Sequence, residues 1–260
     1  MKRIGYVLSG GGARGFAHLG VIKLLEELGV KPIAIAGTSV GAVIGALYAG
    51  GKSSLEILEI LKRNRYFSWH NISLLKQGFF SMGTLRKVLK DNIGEEEFGQ
   101  LKVKLFVAAT DLAKGESVII SEGNLLDAII ASASVPVIFE PVRTGGRLLV
   151  DGGILDNFPV EPLEGICDVI IGSHVNKMTN ELPANTVLKT ADMLDRCFHL
   201  AIADKTYSRA SLCDFFIETD LAQYNSYDVR KADMIFKSGY NTALLYKDRL
   251  MEMLEISTTP

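Results

Sequence analysis

The segment "IAIAGTSVGAVIGALYAG", residues 33–50, predicts a strand, a tight turn and a helix. The apolar run at 33–36 is typical of a buried strand, and the small residues of 40–49 predict a helix that the two following glycines end. The turn between them matches G-x-S-x-G in the strand–turn–helix context that this motif requires. The positive end of the helix dipole would point at the hydroxyl of Ser39. Ser39 is therefore a candidate nucleophile.

A glycine-rich turn precedes it in "LSGGGARGFAHLGV", residues 8–21. Its glycines fit the G-x-G-x-x-G fingerprint of a dinucleotide-binding turn, between a predicted strand at 4–8 and a predicted helix at 14–28. That fold also needs an acidic residue at the end of the second strand, where this sequence has "AGTS", residues 36–39. The pattern instead favours loop amides that hold the oxyanion formed when a serine attacks a carbonyl.

The first candidate base is a histidine in a triad. The order Ser39, Asp151, His174 is that of α/β-hydrolases, and His174 follows the predicted strand at 169–172. The other histidines fit surface or core roles: His18, His70 and His199.

The second candidate base is Asp151 itself, in "LLVDGGILDNFP", residues 148–159. It ends an apolar strand, and a buried carboxylate there could take the serine proton directly. Asp-Gly is also a strong hairpin signal, so a role in a turn stays open.

Taken together, these stretches resemble the patatin-like phospholipases, the bacterial branch in particular. Three motifs carry the resemblance: "GGGARG" at 10–15, "GTSVG" at 37–41 and "DGG" at 151–153. The block "ASASVPVIFEPV" at 131–142 also resembles the small-residue and proline segment before the family's DGG strand. Order and spacing agree over residues 4–175.

The resemblance implies a three-layer α/β/α sandwich with a mostly parallel central sheet. It also implies hydrolysis of fatty-acyl esters of lipids without calcium, cofactor or metal. Two alternatives use the same residues: a soluble carboxylesterase or thioesterase acting on small acyl substrates, and a binding module with little chemistry.

The resemblance assigns roles residue by residue. It implies a Ser39 nucleophile, an Asp151 base and no histidine in the reaction. Arg14 would fix the loop or face a phosphate head group. The implied oxyanion hole is formed by the backbone amides of Gly10, Gly11 and Gly12, and the supporting glycines are Gly37, Gly41 and Gly152.

Length and composition limit the remaining possibilities. We expect one domain over residues 1–260, with the motifs in 4–175 and helices in 187–254. The net charge of −2 gives no footprint for nucleic acid, and the three cysteines contain no C-x-x-C pair. The first apolar run is too short for a signal peptide, and no apolar run is long enough to span a bilayer. We therefore expect a soluble, cytoplasmic protein; the oligomeric state stays open.

Any contact with lipid is expected to be peripheral and transient. The segment "RYFSWHNISLLKQGFFSM", residues 65–82, is rich in aromatic residues and has no clean period. It is either a packed connection or a mobile cover over an apolar pocket. The basic stretch "LKRNR", 61–65, beside it is either a solvated helix end or a contact for an anionic surface.

Overall fold

The structure is a computed structural model. The residues that it describes are 2–63, 82–94, 96–178, 186–187, 190–226 and 229–255. The aromatic segment predicted as a connection or cover therefore lies, apart from Met82, outside the described residues.

A mixed β-sheet forms the centre of the fold. The strands are β1 (Ile4–Leu8), β2 (Ala34–Thr38), β3 (Lys104–Asp111), β4 (Glu116–Ile120), β5 (Val142–Thr144), β6 (Arg147–Asp151), β7 (Val169–His174) and β8 (Phe215–Glu218). Their order is β5-β6-β3-β2-β1-β7-β8, with β4 also paired to β3. Strands β3, β2, β1, β7 and β8 are mutually parallel, whereas β4, β5 and β6 add antiparallel pairings beyond β3.

The helices mostly follow the predicted segments. They are α1 (Phe16–Glu27), α2 (Val40–Ala49), α3 (Ser54–Arg63), α4 (Met82–Ile93), α5 (Leu125–Ser132), α6 (Thr190–Ala210), α7 (Ala232–Leu244) and α8 (Lys247–Met253). The helices predicted in 187–254 are α6, α7 and α8, whereas α4 and the strand β8 were not predicted from the sequence. In the part of the chain described here, we find no helix with the length and apolar character needed to cross a bilayer.

Successive side chains of each strand point to opposite faces of the sheet, and each face has its own hydrophobic cluster. In β1, Tyr6 and Leu8 pack into the large cluster with the helices α1, α2 and α5, while Val7 packs on the opposite face against Phe158. That second face is covered by the chain after β6 and by α6, whose Lys205 donates to the Leu155 carbonyl at 2.7 Å. The predicted three-layer α/β/α sandwich is confirmed.

The register of β3 brings the two halves of the site together. Thr38 at the end of β2 pairs with Ala108, and Asp151 at the end of β6 pairs with the next residue, Ala109. Strand β1, on the other side of β2, ends at Leu8, and only Ser9 separates it from the glycine loop, defined here as Gly10, Gly11 and Gly12. These residues, which are distant in the chain, therefore lie at the same level of the sheet, where β1, β2 and β6 end.

Candidate active site

Ser39 occupies a sharp turn between β2 and α2. Its backbone has φ 52° and ψ −119°, a conformation that residues other than glycine seldom adopt, and its side chain is half-buried. Side chains at the flanking glycines would collide with backbone: a Cβ on Gly37 would lie 2.6 Å from the Gly41 carbonyl carbon, and one on Gly41 would lie 2.2 Å from the Leu8 oxygen. Both glycines are therefore needed for α2 to pack this closely on β1 and β2.

A hydroxyl that the sequence reading did not single out fixes this turn. The Ser39 amide donates to Ser132 Oγ at 2.9 Å, and that hydroxyl donates to the Ala108 carbonyl at 2.6 Å. Because the two bonds join β2, the end of α5 and β3, Ser132 holds the Ser39 backbone in its strained conformation. The only signal in the sequence was its place in the small-residue block at 131–142.

Asp151 is held rigidly beside Ser39. Its amide donates to the Ser134 carbonyl at 3.0 Å, and its Oδ1 accepts the Gly153 amide at 2.7 Å. The Ser39 side chain lies close enough to the Asp151 carboxylate to lower its pKa. A Cβ on Gly152 would lie 2.3 Å from the Ala108 oxygen, so the chain can turn here only with glycine. The structure thus places the candidate nucleophile beside the candidate base.

Burial raises the pKa of the Asp151 carboxyl group. Asp151 is only 4% exposed, and this desolvation raises its pKa from 3.8 to about 6. The Ser39 side chain, the hydrogen bond from Gly153 and the charge of His199 oppose the rise. At neutral pH the group is mostly ionised yet close to its pKa, which suits a general base.

This pKa predicts how hydrolysis depends on pH. Since only the ionised form of Asp151 accepts a proton, kcat/KM for a p-nitrophenyl acyl ester should fall as pH decreases through about 6 and level off above it. The rate is best followed at the isosbestic wavelength of p-nitrophenol, so that titration of the product does not enter. A profile that is flat through this range would contradict the assignment of Asp151 as base.

The glycine loop borders Ser39 directly. A Cβ on Gly10 would lie 3.4 Å from Ser39 Cβ and 2.4 Å from Asn157 Oδ1. The Gly10 amide donates to the Asn157 carbonyl at 3.3 Å, and the Gly10 carbonyl accepts Asn176 Nδ2 at 2.6 Å. Gly11 and Gly12 have φ of 151° and 57°. Among the described residues, neither of their amides has a hydrogen-bond acceptor.

Arg14 ties the loop to the C-terminal part of the chain. Its Nε donates to the Tyr224 carbonyl at 3.0 Å, and its Nη1 lies 3.5 Å from Asn176 Oδ1. Arg14 was expected either to fix the glycine loop or to face a phosphate head group. These contacts support the first role.

Two histidines near these elements have partners other than Asp151. His174 Nδ1 lies 2.9 Å from Glu218 Oε1, and burial lowers the pKa of His174. His18 lies with its ring nitrogens 2.8 Å from Ser173 Oγ and 2.9 Å from the Ser9 carbonyl, and burial lowers its pKa to about 3. His18 is thus a neutral core residue. The candidate base His174 is paired with a glutamate that the sequence reading did not consider.

A comparison with known protein families decides which family these residues represent. The sequence profile of the patatin-like phospholipases matches residues 6–164, which include the glycine loop, Ser39 and Asp151. The chain belongs to the patatin-like phospholipase family. The resemblance predicted from the motifs is confirmed.

Relatives of this patatin-like chain include proteins that are longer than it is. An uncharacterized NTE family protein of Mycobacterium bovis is 36% identical over 177 residues, which cover 67% of this chain and 49% of that protein. Lysophospholipase NTE1 of Cryptococcus neoformans var. neoformans is 34% identical over 184 residues, which cover 65% of this chain and 11% of that protein. The chain thus spans about half of the mycobacterial relative and a small part of the fungal one.

A solved structure supports the patatin-like fold independently. The crystal structure of VipD from Legionella pneumophila matches with a TM-score of 0.54 and 17% identity, covering 96% of this chain and 67% of that chain. At this identity the likeness concerns the fold alone.

Proposed function

We propose that this patatin-like protein is a serine acyl hydrolase that cleaves fatty-acyl esters of lipids. The observation that carries the proposal is the position of Ser39 beside Asp151, a buried carboxylate whose pKa is raised to about 6. A nucleophile needs a base within hydrogen-bond reach, and this pair supplies one without a histidine. Membership of the family and the printed name of the fungal relative support a lipid ester as substrate.

The reaction begins with attack by Ser39. Asp151 accepts the proton as Oγ forms a bond to the acyl carbonyl carbon, and the carbonyl oxygen becomes an oxyanion. When the tetrahedral intermediate collapses, the ester C–O bond breaks and Asp151 returns the proton to the leaving alcohol. Water then attacks the acyl-enzyme, again with Asp151 taking and returning a proton, and releases the fatty acid.

The glycine loop stabilises the oxyanion. The Gly10 amide already donates to Asn157, so we assign the donor role to the amides of Gly11 and Gly12, while Gly10 brings the loop close to Ser39. Removing one such donor in other enzymes costs about 3–4 kcal/mol of transition-state stabilisation, and backbone donors cannot be removed by side-chain substitution. A Cβ on Gly11 or Gly12 would collide with Val175 or with the Ser226 oxygen, so this loop requires glycine at both positions.

Activity on a series of acyl chains tests the lipid substrate. Each methylene buried in an apolar groove contributes about 0.8 kcal/mol, so kcat/KM for p-nitrophenyl esters should rise by about tenfold or more from acetyl to octanoyl. Labelling of wild-type protein by a fluorophosphonate, with none in Ser39→Ala, would identify the nucleophile in the same experiment. Fastest hydrolysis of the acetyl ester would instead favour the soluble carboxylesterase.

We further propose that the protein works in the cytoplasm and touches membranes only peripherally while it takes up substrate. Lys62, in the basic stretch near the C-terminus of α3, is already paired with Glu59 and Asp233 at 3.1 and 2.8 Å. That pairing supports a weak surface contact rather than a strong electrostatic anchor.

A further inference from the structure

Asn176 is a buried asparagine that holds the backbone of the glycine loop. It follows the end of β7 by two residues and is 4% exposed. Its Nδ2 donates to the Gly10 carbonyl at 2.6 Å, across 166 residues of chain. Asn176 lies outside residues 6–164, the part of the chain that matches the family profile, and the sequence analysis assigned it no role.

Arg14 fixes the direction in which the Asn176 amide faces. Its Nη1 lies 3.5 Å from Asn176 Oδ1. Because a guanidinium can only donate hydrogen bonds, it keeps the amide oxygen on its own side and leaves the NH₂ group directed at the Gly10 carbonyl, which can only accept. Both ends of the Asn176 side chain are thus paired, and the side chain has one orientation in this place.

The bond from Asn176 reaches a peptide unit that contains a proposed oxyanion donor. The Gly10 carbonyl and the Gly11 N–H belong to the same planar peptide, which is trans. In a trans peptide the N–H points opposite to the C=O, so a bond that fixes the carbonyl also fixes the direction of the amide. The next peptide unit is held in the same way, since the Gly11 carbonyl accepts the Arg14 amide at 3.1 Å.

A peptide between two glycines turns over easily. Reversal of the Gly10–Gly11 peptide changes ψ of Gly10 and φ of Gly11, and no Cβ on either residue opposes the rotation. After reversal a carbonyl oxygen would stand where the N–H was, and an oxygen in that place repels an oxyanion instead of stabilising it. The loop therefore needs a restraint from another part of the chain, and the bond from Asn176 supplies one.

We propose that Asn176 is a positioning residue for the oxyanion hole, because its bond to the Gly10 carbonyl keeps the Gly11 N–H directed at the reacting carbonyl oxygen. The inference rests on the proposed acyl-ester hydrolysis and on the donor role proposed for Gly11. In this role Asn176 acts through the backbone and not by contact with the substrate. Its effect therefore belongs to the transition state, where the oxyanion exists, and not to binding of the neutral ester.

Removal of the Nδ2 donor tests this role. Asn176→Ala should lower kcat for p-nitrophenyl octanoate by about 10²-fold, the effect of losing one oxyanion donor, and should leave KM within about twofold. Octylboronic acid, which adds to a serine hydroxyl as a tetrahedral anion, should inhibit the variant about 10²-fold more weakly. Asn176→Asp is nearly isosteric, and its ionised carboxylate can only accept hydrogen bonds. It should show the same effects, and it serves as the second variant if the alanine variant does not fold.

A matched control and the contrary outcomes complete the test. Asn92→Ala removes an amide on α4 that donates to the Val88 carbonyl at 2.8 Å, and it should keep the wild-type kcat and boronate inhibition. Unchanged kcat in the Asn176 variants would overturn the assignment, and so would a higher KM with kcat preserved. A lower kcat with full boronate inhibition would also overturn it, since the oxyanion hole would then be intact. Absence of hydrolysis by wild-type protein would instead contradict the proposed function itself, and the assignment with it.

Discussion

Replacing Ser39 by alanine should lower kcat/KM for acyl esters by about 10⁴-fold or more, because the variant lacks the hydroxyl proposed to form the acyl-enzyme. The turn itself survives, since the Ser39 amide bond to Ser132 Oγ uses only the backbone. Loss of the Ser39 hydroxyl also removes an interaction that lowers the pKa of Asp151. The measurement is single-turnover and steady-state hydrolysis of p-nitrophenyl octanoate.

Ser238→Ala is the control for this variant. Ser238 lies half-buried on α7, where its hydroxyl donates to the Met234 carbonyl at 3.1 Å, so its removal should leave hydrolysis unchanged. Substantial turnover by Ser39→Ala, with an unaltered circular dichroism spectrum, would show that another group is the nucleophile.

Replacing Asp151 by asparagine removes the base and keeps the shape of the side chain. The asparagine oxygen can still accept the Gly153 amide, but it cannot take the proton of Ser39, so kcat should fall by about 10³-fold or more. His174→Ala provides the comparison, because it removes the base of the alternative triad. Loss of turnover in both Asp151→Asn and His174→Ala would favour the triad, whereas the dyad predicts loss in Asp151→Asn alone.

The same substitution should stabilise the fold at neutral pH. The folded-state pKa of Asp151, about 6, lies above its ordinary value of 3.8, so its contribution to the free energy of unfolding is greatest below about pH 4 and is lost as pH rises through 6. Asparagine does not ionise and escapes this penalty, which is about 3 kcal/mol at most. Thermal unfolding should show a higher Tm for Asp151→Asn at pH 8 and little difference near pH 4.

Asp168→Asn is the control of opposite sign. Hydrogen bonds from Arg3 lower the pKa of this surface carboxylate to about 2, so its ionised form favours the folded state at neutral pH. The control should not raise the Tm at pH 8, and it should keep full activity. A stabilisation of the same size in both variants would show that the gain comes from lost surface charge and not from burial of Asp151.

The turn that carries Ser39 was predictable because its constraints are local. Gly37 and Gly41 are required by collisions with the backbone of the turn and of its neighbour β1, and both stand within two residues of Ser39. The role of Ser132 was not predictable in the same way. Its hydroxyl meets the Ser39 amide across 93 residues of chain, and a serine at the end of a helix serves solvent equally well.

The partner of His174 was missed for a related reason. Glu218 lies on β8, a strand of four residues too short to show a period, and it pairs in register with His174 on β7. Without that strand, chain order alone made Asp151 the obvious acidic partner.

The antiparallel edge of the sheet has a consequence for how the protein acquires activity. Strands β5 and β6 form a hairpin around Gly145 and Gly146, both with positive φ, and such local units form in microseconds. The hairpin reaches β3 only through pairing distant in sequence, which is the slower kind of step. A refolding chain could complete its parallel strands and the serine turn and still lack its base. Recovery of hydrolysis during refolding would therefore report the time at which the β5–β6 hairpin pairs with β3.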